Sequence, residues 1–242
     1  MTPSDLAATR GEPSYVWRPG QERRLQMIAR WAHLQDALVL IDGCGIGMYA
    51  SQIRRRYTPQ VEAFDIEIER VRQAQIDTPH ALVAAAEHAP YPANTFDAIL
   101  SHEVLEHVAD DRAAVQEMVR VLKTGGRIVI FAPNRWYPFE THGHYWRGQY
   151  HFGNTPLINY LPDALRNRLA PHVRAYTKRG LLRLFDGCSV HVVTHRRIYG
   201  GYDNIIARLG APGRLIRDAL YRLEGTPLDV FGLSHFLVVE KT

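Results

Sequence analysis

The stretch VLIDGCGIG, residues 39–47, joins a short apolar run to a glycine-rich turn. The run at 37–43 has the length and composition of a buried strand, and residues 48–57 have the 3.6-residue period of a helix. Gly43, Gly45 and Gly47 lie between the two. Because glycine adopts positive φ angles and lets a ligand approach the backbone, this strand, turn and helix predict either a ligand-binding loop or a tight turn.

Short apolar runs and amphipathic runs continue to alternate beyond this turn. Such alternation predicts right-handed βαβ crossovers and an open parallel sheet with helices on both faces, in a single domain over residues 1–242. A helix at 110–126 is expected to stop at Gly125 and Gly126. Further strands are predicted at 61–65, 80–86, 95–101 and 127–133, with a helix at 66–76.

An acidic residue at the end of the second strand favours the ligand-binding reading of the turn. Asp65 lies eighteen residues past Gly47. In open α/β sheets ligands bind outside the carboxyl ends of the strands, and a carboxylate there takes both hydroxyls of a ribose. A dinucleotide and S-adenosylmethionine both fit a glycine loop paired with a ribose acid.

Composition excludes several other classes of protein. Hydrophobic residues make up 46% of the 242 residues and charged residues 22%, as in ordinary globular domains. No apolar run approaches the roughly 18 to 20 residues of a membrane span, and the first residues are polar where a signal peptide is apolar. The two cysteines, Cys44 and Cys188, are far apart. We therefore expect a soluble protein of the reducing cytoplasm.

Four stretches, taken in order, resemble a known family. They are VLIDGCGIG, VEAFDIE, AEHAPYPANTFDAILSHEVLEHV and RVLKTGGRIVIFAPN, within roughly residues 35–134. The family is that of the class I S-adenosylmethionine-dependent methyltransferases, in the type 11 branch that includes ubiquinone and menaquinone biosynthesis enzymes. The resemblance implies S-adenosylmethionine as cofactor and a Rossmann-like, doubly wound, seven-stranded sheet. Its sixth strand would be 189–195 and its last, antiparallel strand 234–241.

The resemblance also implies a set of cofactor-binding residues. The glycine turn would pass under the methionine part of the cofactor, Asp65 would hold the ribose and Ile66 would pack on adenine. Ala86 and Glu87 would lie near the adenine amino group, and Ser101 and His102 beside the methyl group. The full set is Gly43, Cys44, Gly45, Gly47, Asp65, Ile66, Ala86, Glu87, Ser101 and His102.

Two positions depart from the family pattern. The family has an acid followed by an apolar residue before its first glycine, whereas this chain has Ile41 and then Asp42. Because side chains alternate faces along a strand, the swap is expected to move the carboxylate away from its usual place near the cofactor. The acid that often meets the adenine amino group falls at Ala85. Backbone groups or Glu87 would then hold the adenine.

The run HEVLEH, residues 102–107, is similar to the E-x-x-E-H run that ubiquinone-biosynthesis O-methyltransferases associate with a divalent cation. Glu103, Glu106 and His107 would begin the helix after the fourth strand, with Glu103 and His107 on one face. Acids also collect at helix N-termini because the macrodipole favours them. We favour this second explanation and assign no metal ligand, while a divalent cation stays open.

The stretch NRWYPFETHGHYWRGQYHFG, residues 134–153, has seven aromatic residues and three histidines and follows neither a strand nor a helix period. It follows the fifth strand, so we expect residues 134–183 to form a substrate lid. Its aromatic residues would either wall a pocket or make a small separate core. Imidazole titrates near neutral pH, so the catalytic candidates are His144, His142 and His102. The five wall candidates are Trp136, Tyr137, Phe139, Tyr145 and Trp146.

Positive charge is concentrated in the same segment. Residues 134–183 contain eight Arg or Lys and two acids, against a net charge of +4 for the whole chain. Two short basic helices are expected within PDALRNRLA and TKRGLLRLF. Such a surface suits an anionic small molecule or peripheral contact with a membrane surface. Within the N-terminal helical segment, residues 1–34, a helix is expected near Pro19, with Tyr15, Trp17 and Arg18 near the cofactor.

Three functional classes compete. A small-molecule methyltransferase, O-directed, is the leading one, acting on a hydroxylated anionic, aromatic or lipid-linked acceptor. An RNA or protein methyltransferase has only the basic segment in its favour, because the fourth strand ends in SHEV rather than an N/D-P-P-Y/F motif. We therefore expect no nucleic-acid partner. A non-catalytic nucleotide-binding protein is the third class, and the sequence leaves the oligomeric state open.

Overall fold

A seven-stranded sheet forms the centre of the computed structural model, which describes residues 15–242. The strand order is β10-β11-β5-β4-β1-β2-β3, and β11 runs antiparallel to both of its neighbours. This order confirms the predicted doubly wound, Rossmann-like fold. Residues 1–14 of the predicted N-terminal segment lie outside the described residues. The strands of this sheet are β1 Val39–Asp42, β2 Val61–Asp65, β3 Ala81–Val83, β4 Phe96–His102, β5 Leu122–Pro133, β10 Val190–Ile198 and β11 Ser234–Lys241.

Helices cover both faces of the sheet. Successive residues of a strand point to opposite faces, so Leu40 and Ile41 of β1 belong to two different buried clusters. Ile41 packs with α1, α2 and α3, and Leu40 with α4 and α6. No described helix is both long and apolar enough to cross a membrane. The helices are α1 Pro19–Ala32, α2 Met48–Arg56, α3 Ile68–Ala74, α4 Asp111–Val121, α5 Asp163–Leu169, α6 Lys178–Arg183, α7 Asp203–Leu209 and α8 Ala211–Arg222.

Helix α4 differs from the prediction at its end. Asp110 caps its start by accepting hydrogen bonds from Arg112 N and Ala113 N, both at 3.0 Å. The helix ends at Val121, before the two glycines, because Leu122 takes an extended conformation and pairs with Phe96 of β4. Strand pairing therefore ends the helix, and the glycines at 125 and 126 lie within β5.

Residues 134–183, the inserted segment, leave the sheet after β5. They contain two small antiparallel ribbons, and the predicted basic helices are confirmed as α5 and α6. The final part returns to the sheet, where Tyr176 and Leu181 join the buried cluster on the α4 face. The first ribbon pairs β6 Phe139–Glu140 with β9 Thr155–Pro156, and the second pairs β7 His144–Trp146 with β8 Gln149–His151.

A helical hairpin formed by α7 and α8 lies between β10 and β11, and the sequence did not predict it. Its base packs on α1: the backbone of Gly201 approaches Gly20 so closely that a Cβ on Gly201 would lie 2.7 Å from Gly20 Cα. Arg23 forms an ion pair with Glu224 and stacks 3.9 Å over the ring of Tyr221. The hairpin is thereby held beside the N-terminal helix.

Candidate functional site

A cavity of about 1130 Å³ opens at the carboxyl ends of β1, β2 and β4. This is the edge at which parallel α/β sheets bind ligands. Of the ten residues expected to bind the cofactor, all but Gly47 and Ser101 line the cavity. The eight lining residues are Gly43, Cys44, Gly45, Asp65, Ile66, Ala86, Glu87 and His102.

Asp65 and the glycine turn form one wall of this cavity. Asp65 Oδ2 accepts a hydrogen bond from Gly45 N at 2.8 Å, and Oδ1 accepts one from Glu67 N at 2.9 Å. Gly45 has a φ of +54°, and a Cβ there would meet nothing within 4 Å, so open space lies against its backbone. A backbone that a ligand can approach, beside a fixed carboxylate, fits the ribose and methionine parts of S-adenosylmethionine.

Gly47 and Ser101 lie behind the cavity wall. Gly47 precedes α2 with a φ of +85°, and a Cβ there would lie 3.0 Å from Ala74 of α3. The lack of a side chain at Gly47 therefore allows α2 and α3 to pack closely. Ser101 is 1% exposed, and its register partner at the end of β1 is Asp42.

Asp42 lines the cavity despite the reversed Ile41-Asp42 order. The expectation that the swap moves this carboxylate away from the site is wrong, because the last residue of a strand borders the cavity. Burial raises the pKa of Asp42 to about 7, with the nearby Ser101 hydroxyl opposing the effect and the negative charges of Asp65 and Glu87 adding to it. The carboxyl group thus titrates near neutral pH.

The far end of the cavity is formed by residues 84–88 and Ile66. Ile66 is 52% exposed and offers an apolar surface suited to an adenine ring. Glu87 Oε1 accepts hydrogen bonds from Ala109 N at 2.8 Å and Asp110 N at 3.1 Å. Glu87 therefore fixes the loop before α4, and backbone groups of residues 84–88 remain for the adenine.

His102 is held as a hydrogen-bond acceptor. Arg24 Nη1 lies 2.6 Å from His102 Nε2, and a guanidinium can only donate, so Nε2 carries no proton. Burial, reinforced by the charge of Arg24, lowers the pKa of His102 to about 3. Its basic nitrogen is already engaged. His102 is therefore a weak candidate for the general base.

The pKa values of Glu103 and Glu106 are shifted in opposite directions. Burial alone would raise the pKa of Glu103, but the positive charge of Arg24 and the adjacent histidines lower it to about 2. Burial raises the pKa of Glu106 well above its usual value, and the charge of Glu103 raises it further. Glu103 has a φ of +56° and, like Glu106 and His107, lies in the turn between β4 and α4. The expectation that these residues begin a helix is wrong, because α4 starts only at Asp111.

His142 lines the cavity from the inserted segment, and Glu140 fixes its ring. Its Nδ1 lies 3.1 Å from Glu140 Oε1, and Glu140 Oε2 accepts a hydrogen bond from Arg166 Nη2 at 2.8 Å. Glu140 and Arg166 are each 2% exposed. Although burial raises the pKa of Glu140, His142 and Arg166 lower it, so the carboxylate accepts and His142 Nδ1 donates. In the neutral form of this ring Nε2 is the nitrogen without a proton, and it lies 4.0 Å from Glu106 Oε1.

Glu106, His107 and His142 converge. One potential ligand atom from each lies within 4.8 Å of the other two. Three buried atoms of this group have no hydrogen-bond partner among residues 15–242. They are the two carboxylate oxygens of Glu106 and Nδ1 of His107. One carboxylate and two imidazoles fit a divalent cation, and Glu140 would orient His142 as metal-bound histidines are usually oriented. Glu103 points instead to Arg24, at 3.2 Å.

The predicted aromatic wall is absent from the cavity lining. The inserted segment contributes Thr141, His142 and Phe152 to the lining instead. Four of the five wall candidates contact a neighbouring ring, as in the pairs Trp136–Tyr160 at 6.1 Å and Tyr145–Tyr150 at 5.3 Å. Trp136, Phe139 and Trp146 are 40 to 56% exposed, so the alternative of a small separate core is wrong as well.

His144 lies in the second ribbon, outside the cavity lining. Its ring stacks on that of His151 at 5.4 Å, and its Nδ1 lies 3.0 Å from Thr155 Oγ1. Burial and the nearby His151 lower the pKa of His144. Of the three histidines predicted as catalytic, only His142 combines a cavity position with an available ring nitrogen.

Several basic residues of the inserted segment have structural partners. Arg135 pairs with Asp163 at 2.9 Å, Arg166 with Glu140, and Arg174 donates to Ala109 O at 2.8 Å. Part of the positive charge of this segment is therefore paired with acidic or carbonyl groups of the protein itself.

The N-terminal helix begins at Pro19, as predicted, and contributes Gln21 to the cavity. Trp17 Nε1 donates to Glu22 Oε2 at 2.8 Å, and its ring meets Tyr49 edge-on at 5.3 Å. Trp17 thus fastens the start of α1, and Arg24 of the same helix reaches His102. Tyr15 and Arg18 are not among the lining residues.

Residues 40–130 match the family model described as a methyltransferase domain. This match covers less than half of the chain and supports a methyltransferase domain at these residues, in agreement with the resemblance of the sequence motifs. The glycine turn, Asp65, Glu87 and the turn that holds Glu103 to His107 all lie within it.

Relatives share only part of their length with this chain. Ajmaline N-methyltransferase of Rauvolfia serpentina is 34% identical over 98 residues, 37% of this chain and 34% of that protein. A ubiquinone biosynthesis O-methyltransferase of Xanthomonas oryzae pv. oryzae (strain PXO99A) is 31% identical over 119 residues, 46% of this chain and 49% of that protein. The chain thus spans between a third and a half of the length of these relatives.

One solved structure covers nearly the whole fold. The S-adenosylmethionine dependent methyltransferase of Mesorhizobium loti superposes with a TM-score of 0.64 at 15% identity, over 92% of this chain and 98% of that one. At this identity the likeness shows the fold. The methyltransferase domain therefore lies in a complete seven-stranded architecture of this kind.

Sequence reasoning missed Arg24, Glu140 and Arg166. Arg24 meets His102 across 78 positions, and Arg166 meets Glu140 across 26. Nothing in a local pattern pairs such residues. The one usable signal was Glu140 itself, one of only two acids among residues 134–183 and two positions before His142.

Proposed function

We propose that this chain is an S-adenosylmethionine-dependent methyltransferase that acts on a small molecule. One observation carries the proposal: within the methyltransferase domain, Gly45 and the buried carboxylate of Asp65 meet at 2.8 Å on the wall of the large cavity. S-adenosylmethionine supplies an electrophilic methyl group on its sulfonium. The residues of the chain would bind the cofactor, orient the acceptor and exclude water.

Cofactor binding would be divided along the cavity. Asp65 would accept hydrogen bonds from the ribose hydroxyls. Ile66 would cover one face of the adenine, and the open backbone at Gly45 would face the methionine part. His102, held by Arg24, would close the cavity beside the reacting centre as a neutral, polar wall.

We propose O-methylation, with His142 as the general base. Glu140 would hold the proton of the neutral imidazole on Nδ1, which leaves Nε2 as the nitrogen that accepts a proton. An imidazole in this state takes the proton of an acceptor hydroxyl as the oxygen attacks the methyl group. His144 is not proposed, since it lies outside the lining, and His102 is not proposed, since Arg24 occupies its basic nitrogen.

The proposed acceptor combines a hydroxylated aromatic or lipid-linked body with an anionic group. Phe152 and Val104 give the cavity apolar surface, and Arg70 and His88 give it positive or polarisable groups. Peripheral contact of the inserted segment with a membrane would suit a lipid-linked acceptor.

A divalent cation at Glu106, His107 and His142 is a second candidate for activating the acceptor. The buried carboxylate of Glu106 without a hydrogen-bond partner in the described part of the chain favours it. A cation bound there would lower the pKa of an acceptor hydroxyl. His142 would then be a ligand and not a base.

Two measurements test these proposals in sequence. The melting temperature of the chain should rise with S-adenosylhomocysteine and stay unchanged with NAD, because only a ligand of the native state stabilises it. A methyl-transfer screen over matched neutral and anionic hydroxylated acceptors should then show turnover with the anionic ones. Loss of turnover in excess chelator and recovery with magnesium would establish the cation; full turnover in chelator would remove it and leave His142 as the base.

A further inference from the structure

The hairpin of α7 and α8 exposes a continuous apolar stripe. In α8, Pro212, Leu215, Ile216 and Ala219 are all exposed and recur at the spacing of one helical face. Leu215 is 71% exposed. In α7, Ile205 and Leu209 are exposed four positions apart and are therefore also on one face. Exposed apolar residues at such spacing are typical of a surface that a membrane or another molecule covers.

The opposite side of the hairpin is packed, both between its two helices and against α1. Gly213 is buried, and a Cβ there would lie 2.9 Å from Ile206 Cα, so the two helices cross closely. Tyr221 receives the guanidinium of Arg23 from α1. The hairpin is therefore a packed element, and its outward stripe cannot turn inward without losing these contacts.

Positive charge borders the stripe. Arg208, Arg214 and Arg222 are exposed, and none of them forms an ion pair within residues 15–242. The acids of the hairpin are engaged, since Asp218 accepts from Arg217 Nε at 2.9 Å and Asp203 accepts from Gly20 N at 3.4 Å. At helical spacing Arg208 and Arg222 lie beside the stripe and Arg214 on the other side of α8, so the stripe is bordered by two uncompensated arginines.

This combination distinguishes between the candidate partners. In a symmetric dimer the same patch meets itself, so Arg208 and Arg222 of each copy would face those of the other. An uncharged apolar partner would leave the arginines without counterions. An anionic lipid surface satisfies both features, because the acyl boundary takes the apolar stripe and the headgroups pair with arginine.

We propose that the α7–α8 hairpin docks this protein on anionic lipid bilayers. The hairpin lies on α1, whose Gln21 lines the cavity, so docking brings the cavity mouth near the bilayer. This site is separate from the inserted segment and does not depend on the nature of the methyl acceptor.

Vesicle cosedimentation of the full chain tests the proposal. Binding is expected to vesicles of mixed phosphatidylcholine and phosphatidylglycerol, to weaken with salt, and to be absent with phosphatidylcholine alone. The double variant Leu215→Ser, Ile216→Ser should bind the mixed vesicles at least roughly tenfold more weakly, since two side chains no longer enter the acyl boundary. The triple variant Arg208→Gln, Arg214→Gln, Arg222→Gln should lose the preference for phosphatidylglycerol.

Matched controls separate this surface from others. Ile76→Ser removes a side chain that is 82% exposed on a different part of the protein and should leave vesicle binding unchanged. Trp146→Ser tests the inserted segment in the same way. Loss of binding through Trp146 with none through Leu215 and Ile216 would overturn the proposal, as would a dimer in sedimentation velocity that the hairpin variants dissociate.

The proposal and the proposed methyltransferase activity fail separately. The hairpin variants should keep the melting temperature of the native chain and its rise with S-adenosylhomocysteine, because the stripe touches neither the core nor the cavity. Vesicle binding is measured without methyl transfer. Normal ligand binding with no vesicle binding would therefore refute the docking site alone.

Discussion

Asp65 links the glycine turn to the start of α3 through its two backbone hydrogen bonds, and it also lines the cavity. A substitution there acts on loop geometry and on ligand binding together. Asp65→Ala should weaken S-adenosylmethionine binding by roughly 2 to 3 kcal/mol, because charge-assisted hydrogen bonds to the ribose are lost. Calorimetry measures the affinity. Unchanged affinity in a folded Asp65→Ala protein would remove this residue from the cofactor site.

The control for Asp65 is a carboxylate with only a surface role. Asp77 pairs with Arg55 at 2.8 Å across an exposed ion pair. Asp77→Ala should therefore leave cofactor affinity unchanged and alter stability little, since such pairs contribute about 0 to 1 kcal/mol.

Glu140 determines which nitrogen of His142 is available. Glu140→Gln keeps the shape of the side chain but removes the charge that holds the proton on Nδ1, so His142 can adopt either tautomer. His142→Ala should lower kcat by roughly 10² to 10⁴ with cofactor binding retained, and Glu140→Gln should lower kcat by a smaller factor with KM little changed. Steady-state kinetics and calorimetry on the two variants measure these effects.

His144→Ala is the matched control for His142, since both histidines lie in the inserted segment and only His142 lines the cavity. It should keep most of its turnover. A loss in His144→Ala as large as that in His142→Ala would contradict the assignment of the base.

The glycine turn is an element whose shape depends on one close contact. Gly43 has a φ of +65°, and a Cβ there would lie 2.4 Å from Val104 Cγ2. Gly125 has a similar φ of +77° but open space around it. Gly43→Ala should therefore lower the free energy of unfolding by about 1 to 3 kcal/mol more than Gly125→Ala, because overpacking adds to the backbone strain that both share.

Urea unfolding measures this difference. The double variant Gly43→Ala, Val104→Ala should recover part of the loss, since it removes the clashing methyl groups. Equal losses in Gly43→Ala and Gly125→Ala would show that conformational strain alone explains the effect.

The elements that local sequence predicted are those fixed by local composition. The second strand matches the predicted run 61–65 residue for residue, because apolar runs bounded by turns have few other solutions. The last strand matches 234–241 in the same way, but it was expected from the family resemblance. The end of α4 was misplaced because Leu122 leaves the helix to pair with Phe96, a contact between distant residues. The same limit applies to α7 and α8, whose exposed apolar faces do not have the pattern of a core-facing helix.

The site shows the same division. Gly45, Asp65 and Ile66 were predicted because a motif places them at the ends of successive strands. The available nitrogen of His142 was not, because it depends on Glu140 and on Arg166 from another element. The prediction of an aromatic wall was wrong because composition alone does not show which way a side chain of an irregular segment points.

At the scale of the whole molecule, a histidine pair joins the edge of the sheet to the inserted segment. His195 Nε2 on β10 lies 2.9 Å from His235 Nδ1 on β11, and His235 Nε2 lies 2.8 Å from Tyr176 O. A carbonyl only accepts, so His235 donates through Nε2 and accepts through Nδ1 from His195. His235 must be neutral for this chain of hydrogen bonds to exist, because its Nδ1 accepts from His195.

Acid should therefore destabilise the protein through this pair. Burial, with the partner histidine adding, lowers the pKa of His195 to about 3, and burial lowers that of His235 to about 4. Both values lie below the ordinary 6.5, so the unfolded chain binds more protons than the native one between about pH 6.5 and 4. The contribution is present above pH 6.5 and is lost as pH falls, by roughly 1 to 2 kcal/mol per histidine at pH 5.

Urea unfolding at pH 7.5 and pH 5 would measure this loss, with His195→Gln as the decisive variant. The glutamine amide still donates to His235 Nδ1 but does not titrate. His195→Gln should match the native chain near pH 7.5 and lose less stability at pH 5, because one of the two protons that favour unfolding is gone. Identical pH dependence in the two proteins would place the acid sensitivity elsewhere, with the buried His102 and His107 as the next histidines to replace, since burial also lowers their pKa values.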